Sequence, residues 1–278
     1  MTAIKKCFIP SAGYGTRFLP VTKSVPKELL PLGTKPIIQY SVEEAFHAGI
    51  SDIVIIKNRL KNAIEDYFKI SFEIKSFLTN KNKHSLLDSI NTLIMNCNFS
   101  FVNQKKMLGL GNAISEIQSL SNDESFVVAL PDDVCYSESF PVIGQLLEIS
   151  KKFPDMCIIA IEEVEKEHVN NYGIVTLDDL EIAKDTFFVN GIIEKPDPES
   201  IDSNLAVIGR YILSNDIFEA LKKIHPDQNG EIQLTDALQI LVEKKKVLAY
   251  KFEGVRYDCG TFEGFLKANN FLFNQGNI

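Results

Sequence analysis

Segments rich in apolar residues alternate with amphipathic stretches at the start of the chain. Residues 5–9 and 53–56 are short apolar segments of the kind that forms strands buried on both faces of a parallel sheet. Residues 36–48 carry apolar side chains at helical spacing, with Gly49 where a helix end favours glycine, and residues 62–68 predict a second helix. This order of strand, helix, strand and helix predicts a βαβ arrangement.

The alternation is interrupted over residues 71–96. Two helix-like segments, FEIKSFL and SLLDSINTLI, are joined there by a polar link at residues 79–83, which predicts a helical flap inserted at about residues 70–97. The elements predicted beyond it are a strand at 99–102, a glycine loop at 109–111, a helix at 112–120, a strand at 126–130, a helix at 139–153 and a strand at 157–161.

The second half of the chain is richer in strands, which are joined by loops containing Asp, Asn and Pro. Its predicted strands are 173–177, 187–194, 206–213 and 247–252, its helices are 217–224, 234–245 and 262–273, and residues 256–261 are predicted to be a loop. The sequence contains no internal repeat, low-complexity segment or flexible linker. We therefore predict one α/β domain over residues 1–278, with a central, mostly parallel mixed sheet flanked by helices.

Composition narrows the class of protein. The chain has 278 residues, 45% of them hydrophobic, and a formal net charge of −8, which argues against broad binding to nucleic acid or to an anionic membrane. Five scattered cysteines without a C-x-x-C pair favour a reduced cytoplasm over a disulfide framework or a zinc site. The N-terminal segment lacks a signal-peptide pattern, and no apolar run is long enough to cross a bilayer.

The most informative stretch is residues 9–33, IPSAGYGTRFLPVTKSVPKELLPLG. Gly13 and Gly15 permit a turn whose backbone N–H groups can bind an anion, and Arg17 and Lys27 add two cations to the same connection. This combination suits several phosphates at once. The third glycine of the dinucleotide fingerprint and the Gly-Lys-Ser/Thr of a P-loop are both missing. The alternative is an ordinary glycine turn with solvated cations.

Acidic residues follow predicted strands at two other places. Asp132 and Asp133 come directly after strand 126–130, and Asp258 lies in the loop before the last helix. Ligands of open α/β sheets bind beyond the carboxyl ends of strands, and Mg²⁺ takes one or two carboxylates together with phosphates and water. Asp132 and Asp258 are therefore candidate metal ligands. The alternative, that Asp132 and Asp133 only cap the next segment, is weakened by the neighbouring phosphate-type loop.

Three further side chains are candidates for substrate binding. Glu194 and Lys195 end a strand, where a carboxylate can accept sugar hydroxyls and an ammonium group can hold a phosphate, and Pro196 is expected to keep Lys195 extended. Gln104 ends another strand, and its amide can pair with the edge of a pyrimidine. The alternatives are a surface ion pair and a solvated glutamine. Ser11, Cys7 and Cys259 have no evident base, so covalent catalysis is unsupported.

Taken together, the motifs resemble those of the sugar-1-phosphate nucleotidyltransferases, and in detail the bacterial UTP–glucose-1-phosphate uridylyltransferases. The matching segments, in order, are AGYGTRFLPVTKSVPKELLPLGTKPIIQYSVEEA, KNAIEDYF, FEIKSFL, GLGNA, LPDD, NYGIV, IIEKP, AVIGRYIL, GEIQLTDAL and YDCGT. The chain departs from the family where V-R-Q, GLGHA and T-G-R are usual. It has Asn103 in place of the arginine, Asn112 in place of the histidine, and Lys57-Asn58-Arg59.

The resemblance implies a Rossmann-like nucleotidyltransferase fold that makes UDP-glucose and pyrophosphate from UTP and glucose 1-phosphate with Mg²⁺. It also implies a nucleotide half at about residues 1–135, a sugar-phosphate half at about residues 136–278, and a homodimer or homotetramer. For the nucleotide it implies Ala12, Gly13, Gln104 and Gly109 at the uracil, Glu28 near the nucleoside, Arg17 at the β- and γ-phosphates, and Lys27 at the phosphates. For the metal, the resemblance implies that Asp132 and Asp258 hold Mg²⁺. For glucose 1-phosphate, it implies that Glu194 and the backbone around Gly173 bind the glucose and that Lys195 binds its phosphate.

Three rival hypotheses remain at this stage. A thymidylyltransferase would differ only in accepting one extra methyl group on the base, a small energetic difference. A metal-dependent glycosyltransferase would use Asp132 and Asp133 as its metal motif and would not need Arg17 and Lys27 around a triphosphate. A non-catalytic sugar-nucleotide sensor on the same fold is disfavoured, because the charged residues that the reaction needs are all present.

Overall fold

The computed structural model describes residues 4–81, 83–122 and 124–275. The elements of its first half are β1 Lys6–Pro10, β2 Pro31–Leu32, β3 Lys35–Pro36, α1 Ile37–His47, β4 Asp52–Lys57, α2 Asn62–Tyr67, α3 Phe72–Asn80, α4 Asp88–Asn96, β5 Asn98–Asn103, α5 Gly109–Ser115 and β6 Phe126–Ala129. Those of its second half are β7 Asp133–Tyr136, α6 Val142–Lys152, β8 Cys157–Glu163, β9 Gly173–Ala183, β10 Thr186–Glu194, β11 Leu205–Leu213, α7 Asp216–Leu221, α8 Leu234–Val242, β12 Val247–Lys251, β13 Val255–Asp258 and α9 Phe262–Asn274.

Within the described residues, the central sheet has nine strands in the order β5-β4-β1-β6-β11-β8-β12-β10-β9. The strands of the first half, β5, β4, β1 and β6, pair in parallel, as the continuous apolar segments of β4 and β6 predict. The second half is mixed, since β8 and β12 are parallel while β11, β10 and β9 pair antiparallel with their neighbours. The predicted mixed α/β sheet is confirmed.

Two cores cover the faces of this sheet. Consecutive strand residues point to opposite faces, so Phe8 and Ile56 join one core while Ile9 and Ile55 join the other. The first core is closed by α5, α7 and α8, and the second by α1, α2, α4 and α6. Helices on both faces therefore leave the carboxyl ends of the parallel strands free for a site.

A third, smaller core positions the long connection between β1 and α1. Phe18 and Leu30 from that connection pack with Cys259 and with α9, and the rings of Phe18 and Phe265 meet edge to face at 5.8 Å. This packing brings residues from the two ends of the chain together, and it holds the glycine-containing stretch against the segment that carries Asp258.

Most predicted elements form within a few residues of their expected places, and the helices α3 and α4 occupy the stretch predicted to be a helical flap. Two predictions are wrong. The glycine stretch at 109–111 is the first turn of α5, because Gly109 takes a φ of +85° and lets the helix begin there. Residues 255–258, which include the start of the predicted loop, form β13. This short strand pairs with β7, which the apolar pattern also failed to indicate.

Candidate active site

The glycine turn after β1 is anchored at its start and open at its middle. The Ser11 N–H donates to the Ile56 carbonyl oxygen at 2.7 Å, which continues the β1–β4 pairing by one residue. A Cβ added to Gly13 would meet no atom within 4 Å, whereas one on Gly15 would lie 3.0 Å from the Cβ of Lys27. Gly15 also has a φ of +66°. Gly13 therefore faces open space that a ligand can enter, and Gly15 lets Lys27 pack closely beneath the turn.

A buried ion pair supports the turn from below. Lys61 Nζ donates to both carboxylate oxygens of Glu28, at 2.6 and 2.7 Å, and to the Ser11 carbonyl oxygen at 2.9 Å. Asn58 Nδ2 donates to the Ala12 carbonyl oxygen at 2.6 Å. Burial raises the pKa of Glu28 and lowers that of Lys61, and each charge partly offsets the shift of the other. Glu28, predicted to lie near the nucleoside, is thus buried under the turn and paired with a lysine that the sequence analysis did not single out.

Gln104 lies beside this turn, at the end of β5. Its backbone N–H donates to the Lys57 carbonyl oxygen at 2.8 Å, next to Asn58. Its side-chain Nε2 donates to the Gly109 carbonyl oxygen at 3.2 Å and to Asn112 Oδ1 at 2.9 Å. The structure therefore brings the predicted pair Gln104 and Gly109 together and adds Asn112 as a third member.

Two oppositely charged side chains connect the opening loop to the end of β6. Lys27 Nζ lies 2.6 Å from Asp132 Oδ2. Burial alone would lower the pKa of Lys27, but the charge and hydrogen bond of Asp132 raise it above its ordinary value. Burial alone would likewise raise the pKa of Asp132, and Lys27 together with the charge of Arg17 holds it below its ordinary value. Both groups are therefore charged at neutral pH.

Arg17 belongs to the same connection as Lys27 but is exposed to solvent. It belongs to the short 3₁₀ turn Thr16–Phe18, its side chain is exposed, and it forms no ion pair with any described residue. A guanidinium in this position is available to a phosphate that enters from solvent.

The carboxylates of Asp132 and Asp258 converge. Asp132 Oδ2 and Asp258 Oδ1 both lie within 2.9 Å of the point that a Cβ on Gly260 would occupy. Within residues 4–81, 83–122 and 124–275 there is no cluster of three or more His, Cys, Asp or Glu side chains able to hold a metal. Two convergent carboxylates fit a Mg²⁺ ion whose other ligands come from substrate phosphates and water.

Asp133, the neighbour of Asp132, has a different role. Its Oδ2 accepts from the Gly209 N–H and its Oδ1 accepts from Arg256 Nη1, each at 2.7 Å. Arg210, which is fully buried, donates to the Asp133 carbonyl oxygen. Asp133 therefore fixes the junction between the sheet and the β7–β13 pair, and of these two aspartates only Asp132 remains a candidate metal ligand.

The strand end at Glu194 and Lys195 forms a second group of polar side chains. Gly173 pairs with Glu194 across β9 and β10, and Thr235 Oγ1 donates to Glu194 Oε2 at 3.0 Å. A Cβ on Gly173 would lie 2.7 Å from Thr235, so only glycine fits there. The predicted residues Gly173 and Glu194 are therefore adjacent, and Thr235 is an addition that sequence reasoning missed.

Lys195 does not have the predicted backbone conformation. Its φ is +45°, in the left-handed region, so the expectation that Pro196 keeps it extended is wrong. A non-glycine residue there is strained and persists only when its surroundings hold it, here through a 2.9 Å bond from its N–H to the Tyr172 carbonyl oxygen. The side chain is half exposed, with Nζ 3.2 Å from Glu194 Oε1.

Tyr172 links this group to the carboxylate pair. Its backbone holds Lys195, and its hydroxyl donates to Asp258 Oδ2 at 3.3 Å. The guanidinium of Arg256 stacks over its ring at 4.9 Å, and Arg256 is itself held by Asp133 and Glu162. None of these links was predicted, although NYGIV and YDCGT were among the matching segments. The contacts join residues distant in sequence and leave no periodic signal.

The mixed sheet, the glycine turn after β1 and the convergent carboxylates agree with the nucleotidyltransferase class that the sequence motifs indicated. The chain belongs to the nucleotidyl transferase family, whose model matches residues 6–275. Within that family it is similar to the UTP–glucose-1-phosphate uridylyltransferase of Pseudomonas aeruginosa, with 47% identity over 98% of this chain and 97% of the relative. The resemblance found in the sequence motifs is confirmed.

Solved structures agree with that relationship. An apo UDP-glucose pyrophosphorylase matches with a TM-score of 0.92 and 47% identity, over 98% of this chain and 99% of the other. A UDP-glucose pyrophosphorylase complexed with UDP-glucose matches with a TM-score of 0.90 and 45% identity, again over 98% and 99%.

Proposed function

We propose that this chain transfers the uridylyl group of UTP to glucose 1-phosphate, yielding UDP-glucose and pyrophosphate. The observation that carries the proposal is that Lys27, Asp132 and Asp258 lie together beside the turn at Gly13. This occurs in a chain that is similar over 98% of its length to a UTP–glucose-1-phosphate uridylyltransferase. A cation and a carboxylate pair beside an anion-binding turn suit a triphosphate rather than a simple sugar.

The nucleotide would lie along the turn. Ala12, Gly13 and Gly15 would supply backbone contacts, with Gln104 and Gly109 at the uracil. Arg17, which is exposed and forms no ion pair or hydrogen bond through its side chain with a described residue, would bind the β- and γ-phosphates. Glu28 would act indirectly, because its carboxylate is already occupied by Lys61. We propose that it holds the turn in shape beneath the nucleoside.

Asp132 and Asp258 would hold Mg²⁺, which when bound offsets the negative charge of the phosphates around the reacting phosphorus. Lys27, next to Asp132, would add a permanent cation on the same side. Its raised pKa keeps it protonated throughout the neutral range.

Glucose 1-phosphate would occupy the strand end at Gly173 and Glu194. The Glu194 carboxylate can accept further hydrogen bonds from sugar hydroxyls besides the one from Thr235. The half-exposed ammonium group of Lys195 can bind the phosphate. The link through Tyr172 would keep this group at a fixed distance from Asp258.

The reaction needs no general base, because the phosphate of the sugar is already an oxyanion nucleophile near neutral pH. One of its oxygens attacks the α-phosphorus of UTP, the bond from that phosphorus to the bridging oxygen of the β-phosphate breaks, and pyrophosphate leaves with the electron pair. Two polyanions repel each other, so the protein contributes mainly by holding them in line and offsetting their charge. Lys195 would offset the charge of the attacking phosphate, and Lys27 would offset the charge around the α-phosphorus. Arg17 would offset the charge of the departing pyrophosphate.

The decisive experiment measures pyrophosphate release from UTP, glucose 1-phosphate and Mg²⁺. Release that requires both substrates and Mg²⁺ supports the proposal. Faster turnover with dTTP than with UTP would indicate a thymidylyltransferase. Consumption of UDP-glucose without pyrophosphate chemistry would indicate a glycosyltransferase, and binding without turnover would indicate a sensor.

We further propose the division into a nucleotide half at residues 1–135 and a sugar-phosphate half at residues 136–278, since the two polar groups fall on either side of that boundary. A cytoplasmic location and a homodimer or homotetramer also stay proposals. Light scattering of the purified chain would test the oligomer. No helix among the described residues is long and apolar enough to cross a membrane.

A further inference from the structure

The amide group of Gln104 has an orientation that the protein itself determines. Nε2 lies 3.2 Å from the Gly109 carbonyl oxygen, and a backbone carbonyl can only accept a hydrogen bond. The atom facing it must therefore be the NH₂ group and not the amide oxygen. Asn112 Oδ1 lies 2.9 Å from the same nitrogen and accepts its other hydrogen.

Both hydrogens of Nε2 are thus used by the protein. The carbonyl oxygen Oε1 accepts no hydrogen bond from a described residue, and it is not sealed from solvent. Gln104 as a whole is only 7% exposed. The side chain therefore presents a single available polar atom, and that atom is an acceptor.

From this geometry we infer that Gln104 contacts the base only as a hydrogen-bond acceptor, and that Asn112 is the positioning residue that secures this orientation together with the Gly109 carbonyl oxygen. The inference rests on the proposed function, in which uracil lies at Gln104. Uracil offers an N3–H donor on its pairing edge, which Oε1 can accept. Cytosine offers an unprotonated N3 there, so two acceptors would face each other without a hydrogen. The pair Asn112 and Gln104 would thereby select UTP over CTP.

The placement of Asn112 supports a fixed orientation. It lies in the first turn of α5, and this turn is tied down because the Gly111 N–H donates to the Ile232 carbonyl oxygen at 2.9 Å. A Cβ on Gly111 would approach that oxygen to 2.7 Å, so the turn packs closely against the segment at Ile232. The acceptor that orients Gln104 is consequently held by the backbone of α5.

The test compares equilibrium binding of UTP and of CTP, with Mg²⁺ present, to four proteins: the parent chain, Asn112→Ala, Asn112→Asp and Ser115→Ala. Asn112→Ala removes the shorter of the two anchors and leaves only the 3.2 Å bond to the Gly109 carbonyl oxygen. The amide can then reorient at the cost of one hydrogen bond instead of two, so we expect the ratio of the CTP dissociation constant to the UTP dissociation constant to fall by about tenfold. Asn112→Asp keeps an acceptor at the same place, and we expect it to retain the parent ratio.

Ser115→Ala is the matched control, because it removes a side-chain hydrogen bond from the same helix, to the Gly111 carbonyl oxygen at 3.0 Å, without touching Gln104. Thermal unfolding of each variant verifies that it folds. If Asn112 had only a structural role, Asn112→Ala would weaken the binding of UTP and of CTP equally and leave the ratio of their dissociation constants unchanged.

The inference is overturned if Asn112→Ala keeps the parent ratio, or if Asn112→Asp loses it as completely as Asn112→Ala does. Its failure is distinguishable from failure of the proposed function. A parent protein that binds UTP but releases no pyrophosphate would refute the proposed reaction, while the binding ratios would still decide the role of Asn112.

Discussion

Lys27 Nζ lies 2.6 Å from Asp132 Oδ2, across 105 residues of sequence. The contact joins the cation of the opening loop to the carboxylate that follows β6, so a proposed phosphate-binding residue and a proposed metal ligand lie side by side. Because the pKa of Lys27 is raised and that of Asp132 is lowered, both stay charged through the neutral pH range. We therefore expect this pair to be important for the electrostatics of the proposed reaction.

Replacing Lys27 by Ala should reduce kcat by about 10²-fold or more, because a preorganised cation beside the reacting phosphorus is lost. Arg17→Ala should differ, since Arg17 is exposed and would contact the β- and γ-phosphates. We expect its main effect to be a higher KM for UTP, with a smaller fall in kcat. Steady-state pyrophosphate release at varied UTP measures both.

Lys23→Ala is the control for this pair of variants, because Lys23 is an exposed cation of the same connection in the short 3₁₀ helix Val21–Lys23. It should leave both kinetic constants near the parent values. If Lys27→Ala and Arg17→Ala both change only the KM for UTP, the proposed difference between the roles of Lys27 and Arg17 is refuted.

Lys195→Ala should leave UTP binding intact and abolish productive use of glucose 1-phosphate. The reason is its position beside Glu194, at a strand end separated from the turn that would hold the nucleotide. Calorimetry with UTP and pyrophosphate release with glucose 1-phosphate measure the two effects separately. Lys184→Ala, in the exposed turn between β9 and β10, is the control. Near-parent turnover of Lys195→Ala would remove Lys195 from the mechanism.

Tyr172→Phe should raise the Mg²⁺ concentration for half-maximal activity by roughly tenfold, the lower end of what loss of a partner to a metal ligand costs. The change removes the hydroxyl that donates to Asp258 Oδ2 at 3.3 Å and keeps the ring beneath Arg256. Tyr250→Phe removes another hydroxyl, bonded to Gln145 at 3.3 Å away from the site, and serves as control. An unchanged Mg²⁺ dependence in Tyr172→Phe would show that the hydroxyl does not support the metal ligand.

Lys61→Met should lower the free energy of unfolding by about 3 kcal/mol, because it leaves the buried carboxylate of Glu28 without its partner. The double variant Lys61→Met with Glu28→Leu should recover much of that loss, since no unpaired charge remains. Urea denaturation of the parent chain and of each variant measures these changes. Lys69→Met, which removes an exposed ion pair with Glu65, should produce no resolvable change. A Lys61→Met protein as stable as the parent would contradict a structural role for the pair.

Several features of the site were predictable because they are local in sequence. The turn at Gly13 and Gly15 follows a buried strand, and Gly15 needs a positive φ, so residue type and position alone indicate it. Asp132 follows the apolar strand β6 and therefore had to lie at the carboxyl edge of the sheet. The backbone conformation of Lys195 could not be predicted in this way. A hydrogen bond from its N–H to the carbonyl oxygen of Tyr172 overrides the extended conformation that Pro196 favours.

The sequence by itself determined the alternation of strands and helices, the family, and the candidate charges Arg17, Lys27, Asp132 and Asp258, because apolar periodicity and contiguous motifs are properties of neighbouring residues. Only the tertiary structure decided which charges meet. The register that pairs Asp258 with Asp133 brings Asp258 to Asp132, and the packing of α2 beneath the turn gives Glu28 its partner Lys61. These contacts depend on how strands and helices far apart in the chain are positioned against each other, and no local pattern of residues encodes a distance across the sheet.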